Sequence, residues 1–181
     1  MSAEAVTEAE KTGNPMAEPR LAKVVVNMGV GEGAERLQKA EGVLRALTGA
    51  QPSRTYAKKS VRDWGVREGQ AIGCKVTLRG EPAAEFLKRA LWVRQNRIAE
   101  WTIDSQGNCS FGINDHTDFE GQRYDPSIGV FGLDISVVLE KSGERVKRRR
   151  IRKAHIPRRH RVSRPEALAF LKDRFKVEVV A

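Results

Sequence analysis

Residues 72–96 read IGCKVTLRGEPAAEFLKRALWVRQN, and this stretch decides the fold class. Its first seven residues are short, apolar and β-branched enough to predict a strand over 72–78. Glu81 and Pro82 then open a helix, since proline in a first turn gives up an N–H that would have no partner there anyway. Phe86, Leu87, Ala90, Leu91 and Val93 fall on one face, and the spacing carries that helix to about Asn96. A strand running straight into an amphipathic helix calls for a sheet with helices laid on it.

The pattern extends outward in both directions. Upstream, Val24, Val25 and Val26 predict a strand over 21–28, broken by glycines at 29, 31 and 33. Leu37, Ala40, Val43, Leu44 and Leu47 recur at helical spacing over 35–47, and Gly49 ends that helix. Residues 51–59 are extended, polar and basic, and 60–70 form a loop with Gly65 and Gly69 as breakers. Downstream, 98–103 and 109–113 are short extended pieces joined by Ser105-Gln106-Gly107-Asn108, and 114–128 is a polar loop. Leu133, Ile135, Val137 and Leu139 alternate along a strand over 132–140. Ser163 and Glu166 make a capping-box pattern ahead of a helix over 165–175, and 177–180 is a last strand. The elements do not alternate strictly. The expectation is an α+β fold: a mixed, mainly antiparallel sheet with helices on one face, leaving the other face free for a partner. Residues 1–19 are small, acidic and aperiodic and predict a disordered arm; 20–181 then form one domain.

The charge is distributed unevenly. The chain has 181 residues, 33 Lys+Arg and 23 Asp+Glu, a formal charge of +10. Residues 145–164 hold eleven of the basic residues and no acid, and without them 22 basic residues face 23 acidic ones. A nearly neutral domain therefore carries one arginine-rich excursion, enclosed between the strand at 132–140 and the helix at 165–175. Arginine forks suit phosphate oxygens, so Arg148, Arg149, Arg150, Arg152, Arg158, Arg159 and Arg161 are candidate RNA contacts. The alternative is a solvated basic tail. A second basic element, RTYAKKSVRDWGVREGQ at 54–70, interleaves Arg54, Lys58, Lys59, Arg62 and Arg67 with Tyr56 and Trp64. Such a mixture neutralises phosphate and offers an aromatic plane to an unpaired base, unless Trp64 tucks onto the core. No run is long and apolar enough for a membrane helix and no secretory signal opens the chain, so a soluble, cytoplasmic protein is expected.

Other chemistry is weakly signalled. Gly29-x-Gly31-x-x-Ala34 follows a strand and opens a helix, as a dinucleotide-binding turn does. The acidic residue that would hold the ribose about 20 positions on is missing. A nucleotide-cofactor enzyme is thus the runner-up, and a plain glycine turn, whose amides could also meet RNA phosphate, the simpler reading. Cys74 and Cys109 stand apart, with neither disulfide-framework nor zinc spacing. Asp115-His116-x-Asp118 reads as turn chemistry before it reads as a metal or catalytic cluster. No cofactor and no metal is expected.

VVVNMGVGEG, TGAQPSRTYAKKS, REGQAIGCKVTLRG and YDPSIGVFGLDISVVL, in this order and spacing, resemble the family of ribosomal protein five of the large subunit, which binds 5S ribosomal RNA. The resemblance spans about 20–181, and the arginine-rich extension with its following helix is similar to the archaeal form. It implies a structural, non-enzymatic protein of the ribosome's central protuberance. It also implies that Asn27, Gln51 and Thr77 face 5S rRNA. Gly29 and Gly31, through their backbone amides, and Arg54 and Lys58, through their charge, are further candidate rRNA contacts. Lys59, Ser60, Arg62, Trp64 and Arg67 match the family's loop toward the P-site tRNA, although Trp64 departs from common versions. Further implied partners are large-subunit rRNA, a small-subunit head protein met through an intersubunit bridge, and neighbouring 5S-binding ribosomal proteins.

Overall fold

The computed structural model describes residues 15–31 and 34–180. Residues 1–14 of the expected arm, and Glu32 and Gly33 of the glycine turn, lie outside the described residues; Pro15–Ala17 form a 3₁₀ turn. The strands in chain order are β1 (Arg20–Gly29), β2 (Ser53–Tyr56), β3 (Ala71–Leu78), β4 (Arg97–Ala99), β5 (Cys109–Ile113), β6 (Leu133–Glu140) and β7 (Glu178–Val180). Five of them make the main sheet in the order β2-β3-β1-β6-β5, and every pairing within it is antiparallel. Helix α1 (Ala34–Thr48) packs over β3, and α2 (Glu81–Val93) over β1.

Alternation builds the core. Val24, Val26 and Met28 of β1, Cys74, Val76 and Leu78 of β3, and Leu133, Ile135, Val137 and Leu139 of β6 are all buried. They meet Leu37, Val43, Leu44 and Leu47 of α1 and Phe86, Leu87 and Leu91 of α2 in one cluster. Phe86 stacks on Phe119 with ring centroids 5.7 Å apart. Apolar burial of this kind stabilises by roughly 1.5–3 kcal/mol per large side chain. Cys74 lies inside it, and desolvation pushes its thiol up to about 11, so it behaves as a small apolar side chain.

Three expected elements differ. Helix α2 stops at Val93, because Gln95 and Asn96 both take positive φ near 56° and turn the chain out of the helix. The piece expected over 98–103 does not join the main sheet as a strand; only Ile103 reaches it, through a single antiparallel bridge to Cys109. Its first residues belong to β4, which pairs in parallel with β7, while Glu100–Thr102 curl into a 3₁₀ turn. The loop over 60–70 is a tight hairpin: Val61 and Val66 exchange backbone hydrogen bonds of 2.9 and 3.1 Å around Gly65, which sits at φ 63°.

The excursion joins the fold through α3 (Arg164–Phe175). Gly107, at φ +74°, lies under it: a β-carbon there would stand 2.7 Å from Val162 and 3.2 Å from Ala167. No other residue fits that contact and that backbone together. The capping box expected at this helix forms, with the Ser163 amide donating to Glu166 Oε2 at 2.9 Å.

Candidate nucleic-acid interface

The strand alternation that buries one face of the sheet presents the other. Register places the outward residues in rows. One row runs Ser53, Lys75, Asn27, Asp134, Gly112; the next runs Thr77, Val25, Ser136, Ser110. All of these are exposed or half-buried. Apart from Lys75 the side chains are short, and most carry a hydroxyl or amide. The surface is therefore shallow, rich in paired donors and acceptors, and close to neutral. Asn27 and Thr77 stand on adjacent rows and adjacent strands. Ser53, Lys75, Ser110, Asp134 and Ser136 were not singled out from the sequence, although period-two alternation in their strands was the signal that could have found them.

Other candidates lie elsewhere. Arg54 is opposite Cys74 in register, so it points to the helix side. There Glu41 of α1 receives its Nε at 2.5 Å and its Nη2 at 3.2 Å. Gln51 accepts a hydrogen bond from Arg45 Nη2. In the glycine turn, the amides of Val30 and Gly31 both donate to the Ile72 carbonyl, at 3.0 and 2.9 Å. They have no N–H left for a phosphate. Gly31 has φ +75°, and neither it nor Gly29 has a neighbour within 4 Å of a would-be β-carbon. Backbone conformation at Gly31, not close approach, is what this turn requires.

The basic excursion is braced from within. Ile156 and Val162 are buried and pin it to the fold. Lys141, almost fully buried, donates to Glu166 Oε1 at 2.8 Å. Burial acts to raise the Glu166 carboxyl, but hydrogen bonds from Lys141 and the Ser163 amide outweigh it and hold the pKa below its ordinary value. Lys147 pairs with Glu144 at 2.5 Å, and Arg148 with Glu140. Arg149 Nε donates to the Arg152 carbonyl at 2.7 Å, and His160 Nε2 to the Ser142 carbonyl at 2.7 Å. Arg161 donates to His155 Nε2 at 2.8 Å and to the Ile156 carbonyl at 3.4 Å.

That leaves the side chains of Arg145, Arg150, Arg152, Lys153, Arg158 and Arg159 exposed and without a protein partner among the described residues. Arg145 and Lys153 were counted in the block but not singled out; only the bracing decides which cations stay free. The sheet face and the excursion are continuous. A polar pocket of about 240 Å³ brings Lys23 and Val138 from the sheet together with Asn108, Lys147, Arg148 and Arg161.

The hairpin between β2 and β3 forms a separate outpost. Trp64 is 72% exposed and Tyr56 60%, so Trp64 does not tuck onto the core. Lys58, Lys59, Arg62 and Arg67 are exposed around it. The Ser60 hydroxyl accepts the Glu68 amide at 2.9 Å and braces the loop. His116 is buried: its Nδ1 accepts the Phe131 amide at 3.3 Å and its own amide donates to the Phe131 carbonyl at 3.0 Å. Desolvation lowers its pKa, with Asp115 opposing, so the ring acts as neutral turn chemistry. No group of three or more His, Cys, Asp or Glu among the described residues could hold a metal ion. No helix there is long and apolar enough to cross a membrane.

Two family models match the chain. The model "Ribosomal protein L5" covers residues 14–67, and the model for the C-terminal part of the same ribosomal family covers 71–170. Among curated relatives, the large ribosomal subunit protein uL5 of Sulfurisphaera tokodaii is 53% identical over 171 residues, covering 94% of this chain and 97% of that protein. The uL5 proteins of Methanococcoides burtonii and Thermoplasma volcanium are 48% and 49% identical, covering 92% of this chain and 98% and 99% of their own lengths. Identity at this level over both partners' length leaves no room for a nucleotide-cofactor enzyme: the chain belongs to the uL5 family of large-subunit ribosomal proteins, which are structural components of the ribosome rather than enzymes.

Proposed function

We propose that this ribosomal protein scaffolds RNA in the central protuberance of the cytoplasmic large subunit, with its open sheet face holding 5S rRNA. The observation that carries this reading is the pair of in-register rows of short polar side chains across an uncovered sheet. Asn27 offers an amide donor and acceptor to an unpaired base edge, and Thr77 a hydroxyl to a ribose 2′-OH. Shape and polar contacts of this kind select an RNA, whereas charge alone does not. The free cations of the excursion then neutralise phosphates, on 5S rRNA or on the adjoining large-subunit rRNA.

The hairpin at Lys59, Ser60, Arg62, Trp64 and Arg67 reaches a second RNA, the P-site tRNA. An exposed indole flanked by cations supports this. A contact with a small-subunit head protein and with neighbouring 5S-binding proteins completes the proposed placement. The test is capture of 5S rRNA from cell extract by the tagged protein, with Asn27→Ala and Thr77→Val as variants. Loss of 5S rRNA in both, with bulk RNA binding retained, is expected; unchanged capture would overturn the role of the sheet face. Lys59→Ala with Arg62→Ala is expected to spare 5S rRNA and weaken tRNA contact in assembled ribosomes. Equal loss of both would assign the hairpin to the 5S site.

A further inference from the structure

The pocket of about 240 Å³ where the sheet meets the excursion holds more than a phosphate clamp needs. A β-bulge brings Lys23 to it. Strand β1 pairs Leu21 with Leu139 and then Lys23 with Val138, so Ala22 is an extra residue in the ladder, and such a residue re-aims its neighbours. Lys23 is half-buried there and meets no carboxylate among the described residues. Arg161, also half-buried, donates to no carboxylate either, only to His155 Nε2 and the Ile156 carbonyl. The other cations of the lining are neutralised, Lys147 by Glu144 and Arg148 by Glu140. Lys23 and Arg161 thus leave the pocket an uncompensated positive charge to offer an anion.

Acceptors sit beside this charge. Glu144 is only 7% exposed, and its Oε2 is buried without a hydrogen bond. Lys147 Nζ stands 2.5 Å from that oxygen as an ion pair, outside hydrogen-bond geometry, on a side chain that is itself half-exposed. Asn108 gives its side-chain N–H to Asp104 at 2.9 Å, which leaves its side-chain carbonyl to accept. A bare phosphate would use the cations and leave these acceptors unmet. An acidic protein side chain would set a second carboxylate near Glu144. A guanine nucleotide supplies both halves: a negative phosphate, and N1–H and N2–H donors side by side on one edge of the base. Adenine, cytosine and uracil each present a single donor group on that edge. The Arg148 guanidinium, in the same lining, offers a plane on which a base stacks.

We propose that this pocket takes one unstacked guanosine phosphate, with the phosphate on Lys23 and Arg161 and the N1–H and N2–H edge of the base on Glu144 and the Asn108 carbonyl. The base edge displaces the Lys147 ammonium from Oε2, at small cost because an ion pair to an exposed lysine is weak. The proposal rests on the RNA-binding reading above, and adds to it a point where a single base is selected, at the seam between the sheet face and the excursion. The same chemistry arrives either as a loop nucleotide of RNA or as a free nucleotide, and the probes below separate the two.

The test uses the full chain and a single-stranded uridine octamer carrying one central guanosine, inosine or adenosine, with GMP and AMP as free probes. The guanosine octamer should bind about tenfold tighter than the inosine one, which lacks only the N2 amino group, and tighter still than the adenosine one. Glu144→Gln and Glu144→Ala should each bring the three octamers to within about twofold of one another. Lys23→Ala should weaken all three alike and reduce the slope of log K against log salt by about 0.7. Saturable GMP binding that Glu144→Gln abolishes, with AMP unbound, would make a free nucleotide the occupant. Octamer selectivity without GMP binding would make it an RNA nucleotide, and both results support the pocket. Equal binding of the three octamers by the unaltered protein would overturn it, as would a guanosine preference that survives both Glu144 variants. Guanosine selectivity without capture of 5S rRNA would instead overturn the sheet-face reading and leave the pocket standing.

Discussion

The open sheet face and the arginine-rich excursion are adjacent, yet they are built on opposite principles. On the sheet, the backbone ladder sets each side chain's position, and the side chains are short and nearly neutral as a group. On the excursion no ladder exists, the side chains are long, and six cations carry no partner among the described residues. The excursion keeps its shape by turning five other cations inward: Lys147 to Glu144, Arg148 to Glu140, Arg149 to a backbone carbonyl, Arg161 to His155, and Arg164 to the Glu100 carbonyl at 2.5 Å. A run of arginines is thus two populations, one bracing and one presented. The sheet is suited to choose its RNA, and the excursion to hold it.

The largest effect should separate these roles by salt. If the six free cations meet phosphates, log K should fall against log salt with a slope of about −4 to −5, at about 0.7 per contact. Arg150→Ala, Arg158→Ala and Arg159→Ala together should remove about 2 from that slope. Arg148→Ala should change the slope by less than a single free arginine does, because Glu140 already neutralises it. Equal slopes for free and paired arginines would erase the distinction. On the sheet, Thr77→Val should cost about 1–2 kcal/mol of affinity for 5S rRNA with the slope unchanged; a change of slope would mean the face acts by charge.

Next in size is the brace. Glu166→Gln leaves the buried Lys141 ammonium without its carboxylate. Discounted for the partial exposure of Glu166, the cost is about 1–2 kcal/mol of stability, read by denaturant melts. A silent substitution would show that Ile156 and Val162 hold the excursion alone. The smallest effect is on pH. His116 has a lowered pKa in the fold, so on acidification the unfolded chain takes up its proton first. Stability should be full above about pH 6.5 and decline as the pH falls, until the folded ring itself protonates. His116→Gln should flatten that part of the pH profile; an unchanged profile would assign it to other groups, such as Glu166.

Much of the fold was legible because burial has a period. Val24, Val26 and Met28, or Leu133 through Leu139, repeat every second residue, and Leu37 through Leu47 repeat along a helix. Hairpin residues 60–70 were legible only as a loop, since a Val61–Val66 pairing leaves two apolar residues in a polar segment and no periodic trace. The separation of β4 from the main sheet was not legible either. Its partner, β7, lies far along the chain, and nothing local in Arg97–Ala99 names it.

The sequence by itself determined the layers, the sheet's uncovered face, the location of the charge and the family, because each is written in residue type and spacing. Only the tertiary structure decided which charges are available. Arg54 is consumed by Glu41 and Arg45 is not; Arg148 is consumed by Glu140 and Arg150 is not. Neutralisation depends on a carboxylate within about 4 Å, and the chain brings Glu41 to Arg54 and Glu140 to Arg148 by folding, not by sequence proximity.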